Sequence, residues 1–103
     1  MRDRELLRRA RLGDCEAFEA FHSAHRGAVL AFFRVRVRGA GLATELTGET
    51  FMRALAAVRD EERELPAVPI AWLLTIARHL LPAEDAGLSM TPGELEYRAR
   101  GGS

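Results

Sequence analysis

Apolar residues recur at helical spacing through residues 14–37, and this stripe restricts the fold more than any other feature of the chain. Phe18, Phe21, Val29 and the pair Phe32 and Phe33 share one face of a helix drawn through the segment. Polar side chains occupy the opposite face, so the segment is amphipathic. An apolar face of this breadth predicts a long helix that packs against other elements.

Local signals predict where this helix begins and ends. A first helix over residues 3–12 is expected to end at Gly13, where glycine suits a left-handed C-cap, and Asp14 is expected to cap the second helix. The stretch "VRVRG" alternates like a strand but continues the helical stripe and runs into Gly39 and Gly41. We therefore predict a frayed helix end near Val37.

Two further helices follow. Residues 42–58 place Leu46, Phe51 and Val58 on one arc, and Gly48 costs this helix about 1 kcal/mol relative to alanine. The fourth helix has Pro69 in its first turn and is expected to end at Pro82. The predicted fold class is all-α, a compact bundle of about four helices.

Length and composition favour one domain. The 103 residues, 48% of them hydrophobic, suffice for one modest core. We assign residues 1–81 to a helical domain and residues 82–103 to a linker-like tail. Within the tail, Thr91, Pro92 and Glu94 resemble a capping box for one or two helical turns.

Charge is unevenly distributed although the net formal charge is zero. Residues 1–41 carry nine arginines against five acids, a net of plus four, so the remainder carries minus four. The pattern predicts one basic and one acidic surface. It is too weakly basic for a small domain that binds nucleic acid tightly on its own.

Targeting signals and disulfides are not apparent. Cys15 is the single cysteine, so an intramolecular disulfide is excluded, and no apolar run reaches the roughly 20 residues that cross a bilayer. The N-terminus is too charged for a secretory signal. The chain is predicted to be cytoplasmic, with no membrane partner.

A cluster of metal-ligating residue types on the second helix invites comparison with a zinc site. Cys15, His22 and His25 fall on one side of that helix, but their spacing is not a known ligand pattern and no fourth ligand is evident. Catalysis by Cys15 or Ser23 lacks an orienting acid on that face. We predict no metal, no cofactor and no enzymatic activity, with both histidines packed in the bundle.

Three segments in order carry a family resemblance. "GDCEAFEAFHSAHRGAVLAFF", "ATELTGETFMRAL" and "AWLLTIARHLL" together resemble region 2 of bacterial sigma factors of the extracytoplasmic-function group, over residues 6–81. The resemblance implies a helical bundle that docks on the clamp helices of the β′ subunit of RNA polymerase. It also implies recognition and opening of the minus-ten promoter element.

The docking motif of that family aligns with residues 44–51. By this resemblance the polymerase-binding residues are Glu45, Glu49, Met52 and Arg53, which helical spacing leaves together on the exposed side of the third helix. Gly48 replaces the usual glutamine of the family, which is expected to weaken docking. The alternative is that the two glutamates belong to a solvated helix face.

The promoter-handling motif aligns with the fourth helix. The resemblance assigns DNA binding to Trp72, Thr75, Arg78 and His79, although Trp72 on an apolar arc is also suited to the core. Acids and a proline stand where the family continues with basic residues, and the preceding loop is acidic. These acids repel phosphates. The acids and proline concerned are Asp60, Glu61, Glu62, Glu64, Pro82, Glu84 and Asp85.

Two functional interpretations follow. In the first, the chain is a sigma-type domain that docks on RNA polymerase core and, where its DNA motif works, recognises the minus-ten element. In the second, it is a stand-alone, divergent regulator that binds another transcription protein, such as an anti-sigma factor, without promoter recognition. An excised domain fits the first, while Met1 and the atypical sequence after Pro82 favour a free-standing protein.

Overall fold

The computed structural model describes residues 2–82, which form four α-helices joined by short connections. Helix α1 spans Arg2–Arg11, α2 spans Cys15–Arg34, α3 spans Ala40–Arg59 and α4 spans Pro69–His79. No strand occurs within residues 2–82. The predicted all-α bundle is confirmed.

Helix α2 lies at the centre of the described structure and packs against α1, α3 and α4. Its side chains Phe21, Val29 and Phe33 are fully buried, and Leu7 of α1 and Leu73 of α4 are buried with them. Removing a side chain of this size from water stabilises the fold by about 1.5–3 kcal/mol. The long apolar stripe of the sequence therefore supplies the middle of the core.

The junction between α1 and α2 follows the predicted caps. Gly13 has a φ of +103°, and its N–H donates to the Ala10 carbonyl at 3.0 Å while the Asp14 N–H donates to the Arg9 carbonyl at 3.0 Å. This is the Schellman pattern. The Asp14 carboxylate accepts from the Ala17 N–H at 3.2 Å, so both caps are confirmed.

Helix α2 ends at Arg34, so the predicted end near Val37 is wrong by three residues. The chain turns instead, with the Val37 N–H donating to the Phe33 carbonyl at 2.8 Å. Val35 and Val37 are β-branched and therefore weak helix formers, and the turn buries Val37 while Val35 stays exposed. Gly39, with a φ of +94°, then leads into α3.

Helix α3 buries two hydroxyl groups among its apolar contacts. Thr47 donates to the Ala43 carbonyl at 2.8 Å, and Thr50 donates to the Leu46 carbonyl at 2.7 Å. Both bonds run back one helical turn, which pairs each hydroxyl without a partner from another helix. No buried side-chain nitrogen or oxygen of residues 2–82 lacks a hydrogen-bond partner.

A guanidinium from α1 closes the carboxyl end of α3. Arg11 donates through Nε to the Val58 carbonyl at 2.7 Å and through Nη2 to the Asp60 carbonyl at 2.9 Å. Carbonyls at the end of a helix have no intrahelical donor and carry the negative end of the helix dipole. Arg11 therefore stabilises the point where the chain leaves α3.

Helix α4 begins at Pro69 as predicted and ends at His79, three residues before Pro82. The chain leaves the helix through two tight turns. In these the Leu80 N–H donates to the Ala77 carbonyl, and the Leu81 N–H donates to the Arg78 carbonyl. Proline disfavours helical backbone in the residue before it, so the helix ends upstream of Pro82.

The short helix predicted in the tail lies outside the described residues. No helix within residues 2–82 is long and apolar enough to cross a membrane.

Replacing Gly48 with alanine is expected to raise the free energy of unfolding by about 0.5–1 kcal/mol, because glycine is a poor residue in a helix interior. A Cβ at position 48 meets no atom within 4 Å, so the methyl group causes no clash. Urea denaturation measures the difference. Gly39→Ala is the matched control: space is equally open there, but the positive φ makes the variant less stable.

Asp14→Asn is expected to flatten the acid dependence of stability. The hydrogen bond from the Ala17 N–H holds the pKa of the Asp14 carboxyl below its usual 3.8, and Arg9 lowers it further. Asp14 therefore stabilises the fold above about pH 4, and this contribution is lost as pH falls through the lowered folded-state pKa.

Asparagine caps the helix without titrating. The stability gap between the original chain and Asp14→Asn should be larger near neutral pH than near pH 3. Urea midpoints at the two pH values measure it, and an equal gap at both would contradict the assignment.

Candidate functional site

The residues assigned to polymerase binding by the family resemblance share the exposed side of α3. Glu45, Glu49, Met52 and Arg53 are all exposed, and we call them the docking face. Met52 is 68% exposed, which is unusual for a large apolar side chain. Arg53 Nε lies 3.2 Å from Glu49 Oε2, so these two charges pair across one helical turn. Their role in binding stays a prediction.

A groove of about 490 Å³ separates α2 from α3 beside the docking face. Its floor is mainly apolar, and the His22 ring meets the Phe51 ring edge-on with centroids 4.4 Å apart. Three carboxylates stand along it. The lining residues are Phe18, Glu19, His22, Thr44, Glu45, Gly48, Glu49, Phe51, Met52 and Leu55. Three docking-face residues therefore border a concave apolar surface.

Several groove residues were missed by the sequence analysis. Phe18 was assigned to the buried stripe of α2, yet it is only half-buried and forms one wall of the groove. His22 and Leu55 also line the groove. The available signal was the i, i+4 spacing of Phe18 and His22, which puts them on one side of α2.

The two histidines of α2 have separate surroundings. His25 Nε2 lies 2.8 Å from Asp3 Oδ2, whereas His22 packs against Phe51 and Cys15 is exposed. The sequence analysis expected no acid beside these side chains, but Asp3 lies beside His25. Asp3 belongs to α1, 22 residues before His25 in the chain. No group of three or more potential metal ligands occurs within residues 2–82.

The residues assigned to DNA binding divide between two environments. Thr75, Arg78 and His79 are exposed on α4, while Trp72 is half-buried against the core. The Thr75 hydroxyl donates to the Ala71 carbonyl at 3.0 Å, and its oxygen can still accept a hydrogen bond. DNA binding by these four residues stays a prediction.

Thr75 and Arg78 line a depression of about 410 Å³ between α4 and the end of α2. Phe32 and Arg36 form its other side, whereas Trp72 and His79 lie outside it. The Arg36 guanidinium carbon lies 3.9 Å from the Phe32 ring centroid, and Arg36 Nη1 donates to the Phe32 carbonyl at 3.0 Å. The depression thus combines two arginines with an aromatic ring.

Arg36 had no role in the sequence analysis. It belongs to the run "RVRVR", in which arginines alternate with valines after the apolar stripe. The alternation was weighed only as a secondary-structure signal. Its charge was the signal that could have pointed to a basic surface.

The loop between α3 and α4 forms an acidic border. Arg63 Nε lies 3.2 Å from Asp60 Oδ2, which offsets one charge, but Glu61, Glu62 and Glu64 are exposed. Phosphates approaching this loop would be repelled. The basic depression and the acidic loop therefore favour different ligands.

Comparison with known proteins gives one informative similarity. The chain is 34% identical over 98 residues to the ECF RNA polymerase sigma factor BldN of Streptomyces coelicolor, which covers 88% of this chain. The chain spans 36% of the length of that relative. No protein-family model and no solved structure matches the chain. The similarity to BldN supports a relationship between this chain and the sigma-70 family.

Proposed function

We propose that residues 1–81 act as a sigma-factor region-2-type domain that docks on RNA polymerase core. The domain works by binding and not by catalysis. The similarity to an ECF RNA polymerase sigma factor supports a transcription-related role. The observation that carries the docking proposal is the apolar groove beside Glu45, Glu49 and Met52.

The geometry of the groove suits a helix from a partner protein. Recognition of this kind places the apolar face of an amphipathic helix into a hydrophobic groove between elements of the receptor. Phe18 and Leu55 supply apolar walls, and the exposed thioether of Met52 can adapt to the side chains it meets. The clamp helices that the family resemblance implies are a partner of this shape.

The charges on the docking face favour the same kind of partner. Glu45 and Glu49 stand at the border of the groove, where an approaching cationic side chain would meet them before the apolar surfaces touch. Charges on the rim of an interface steer association and fix its register. A basic surface on the polymerase core is therefore the expected complement.

Reversing both docking-face charges, Glu45→Lys with Glu49→Lys, is expected to weaken binding to RNA polymerase core by about tenfold or more. The reason is that attraction to the basic partner becomes repulsion. Equilibrium titration of purified core with labelled chain measures the change.

The matched control carries the same charge reversal on the acidic loop, Glu61→Lys with Glu62→Lys. Both positions are exposed and neither lines the groove, so this variant should bind core within about threefold of the original chain. Equal weakening in the two variants would show a bulk charge effect and reject the docking face.

A second candidate function is contact with single-stranded promoter DNA. The observation that favours it is the depression holding Arg36, Arg78 and the Phe32 ring. Arginines contact phosphates, and the Arg36 guanidinium that lies over the Phe32 ring offers a plane on which a base can stack. The exposed glutamates of the acidic loop repel phosphates, so we expect the strand to avoid that loop.

The double variant Arg36→Ala with Arg78→Ala is expected to weaken binding of single-stranded minus-ten oligonucleotides. Each arginine that binds a phosphate contributes about 0.7 to the slope of log affinity against log salt, so removing both should make that slope shallower by about 1.4. Fluorescence anisotropy over a salt series measures both quantities. Arg26→Ala with Arg38→Ala removes the same charge from exposed positions outside the depression.

Equal slopes in the two double variants would reject the depression as the DNA site. Binding of core without any oligonucleotide binding would favour a domain that regulates transcription by occupying polymerase without choosing a promoter.

A further inference from the structure

We propose that the groove continues past the docking motif to the start of α2, and that one basic amphipathic helix of the partner lies along its whole length with a large side chain seated above Gly48. The inference rests on the proposed function, because the helix is taken to belong to RNA polymerase core. Beyond docking itself, we infer how far the interface extends along α3 and which position determines its specificity.

The groove extends because a second cavity adjoins the first. A cavity of about 200 Å³ lies where α1 meets α2, and Cys15 and Arg59 are among its lining residues. Phe18, Glu19 and Leu55 line both cavities, so the two adjoin at these side chains, and we call the pair of cavities the furrow. From Thr44 to Arg59 it follows α3 for about 22 Å at 1.5 Å per residue, the length of four turns of a partner helix.

Gly48 opens a recess in the middle of this furrow. It lines the groove, and a Cβ built on it meets nothing within 4 Å. Glycine lets another molecule approach the backbone closely, because there is no side chain to exclude it. The family resemblance places a glutamine here, and its replacement by Gly48 was expected on the sequence alone to weaken docking. We expect the reverse, because the missing side chain leaves space at the middle of the furrow. A large residue of the partner fits that space.

Charge selects a basic helix as the occupant. The furrow is lined by more carboxylates than arginines: Glu19, Glu45, Glu49 and Asp14 against Arg59. Glu49 is paired with Arg53. Within residues 2–82, neither Glu19 nor Glu45 forms a salt bridge. These two carboxylates are available to cations of a partner, and they would repel the phosphates of a nucleic acid.

Cys15 provides a direct reporter of the extension. It is the single cysteine of the chain, it is exposed, and it lines the second cavity. N-ethylmaleimide modifies the Cys15 thiol, and the mass of this chain reports the rate of modification. We compare that rate in the free chain with the rate in chain saturated with core. We expect modification to slow by about fivefold or more in the complex, because the partner helix covers the thiol.

A relocated thiol controls for general shielding. The variant Cys15→Ser with Ser23→Cys carries its thiol on the exposed side of α2 outside both cavities, and its modification rate should be unchanged by core. Binding of core that leaves Cys15 fully reactive overturns the extension while leaving the proposed function intact. Failure of the original chain to bind core overturns both.

Filling the recess tests the specificity of position 48. Gly48→Gln should lower affinity for core by about tenfold or more, and Gly48→Ala, which adds only a methyl group to the recess, should lower it by less. Both residues favour helix more than glycine does, so neither variant should lose its fold. Equal or tighter binding by Gly48→Gln overturns the recess as a seat for a partner side chain.

Discussion

The burial of one face of α2 is the constraint on which the other described helices depend. Phe21, Val29 and Phe33 present a continuous apolar surface, and α1, α3 and α4 each pack against this helix. Both candidate surfaces lie at its edges, the groove near Phe18 and the depression near Phe32. These residues are about 21 Å apart along the helix. Two ligands could therefore be held at once along one helix.

The surface charge is arranged by the packing and not by the order of the chain. The sequence divides into a basic first part and an acidic second part, which suggested one surface from each. In the fold, Glu19 from the first part joins Glu45 at the groove, and Arg78 from the second joins Arg36 at the depression. Acidic and basic surfaces are thus each assembled from two distant parts of the chain.

Features set by local interactions could be predicted from the sequence. The cap at Gly13, the N-cap of Asp14 and the start of α4 at Pro69 follow from backbone preferences of single residues, and helical spacing indicated the number of helices. The end of α2 could not be predicted, because Val37 is buried in the turn that follows the helix, and helical spacing does not indicate how that turn packs.

Long-range contacts were beyond what spacing can indicate. Asp3 reaches His25 only because α1 packs across α2, and no pattern within either helix records that pairing. The same reasoning applies to the groove. Exposure of Glu45 and Glu49 followed from helical periodicity, but a concave surface depends on how far apart two helices are held. Arg36 became a candidate only once α4 was placed beside it.

The contact between Arg11 and the end of α3 has a mechanical consequence. One guanidinium holds the Val58 and Asp60 carbonyls, and so fixes the root of the acidic loop to the N-terminal helix. A displacement of that root must either carry α1 with it or break two charge-assisted hydrogen bonds. The N-terminal helix therefore acts as an anchor for the loop, and strain applied at one is transmitted to the other.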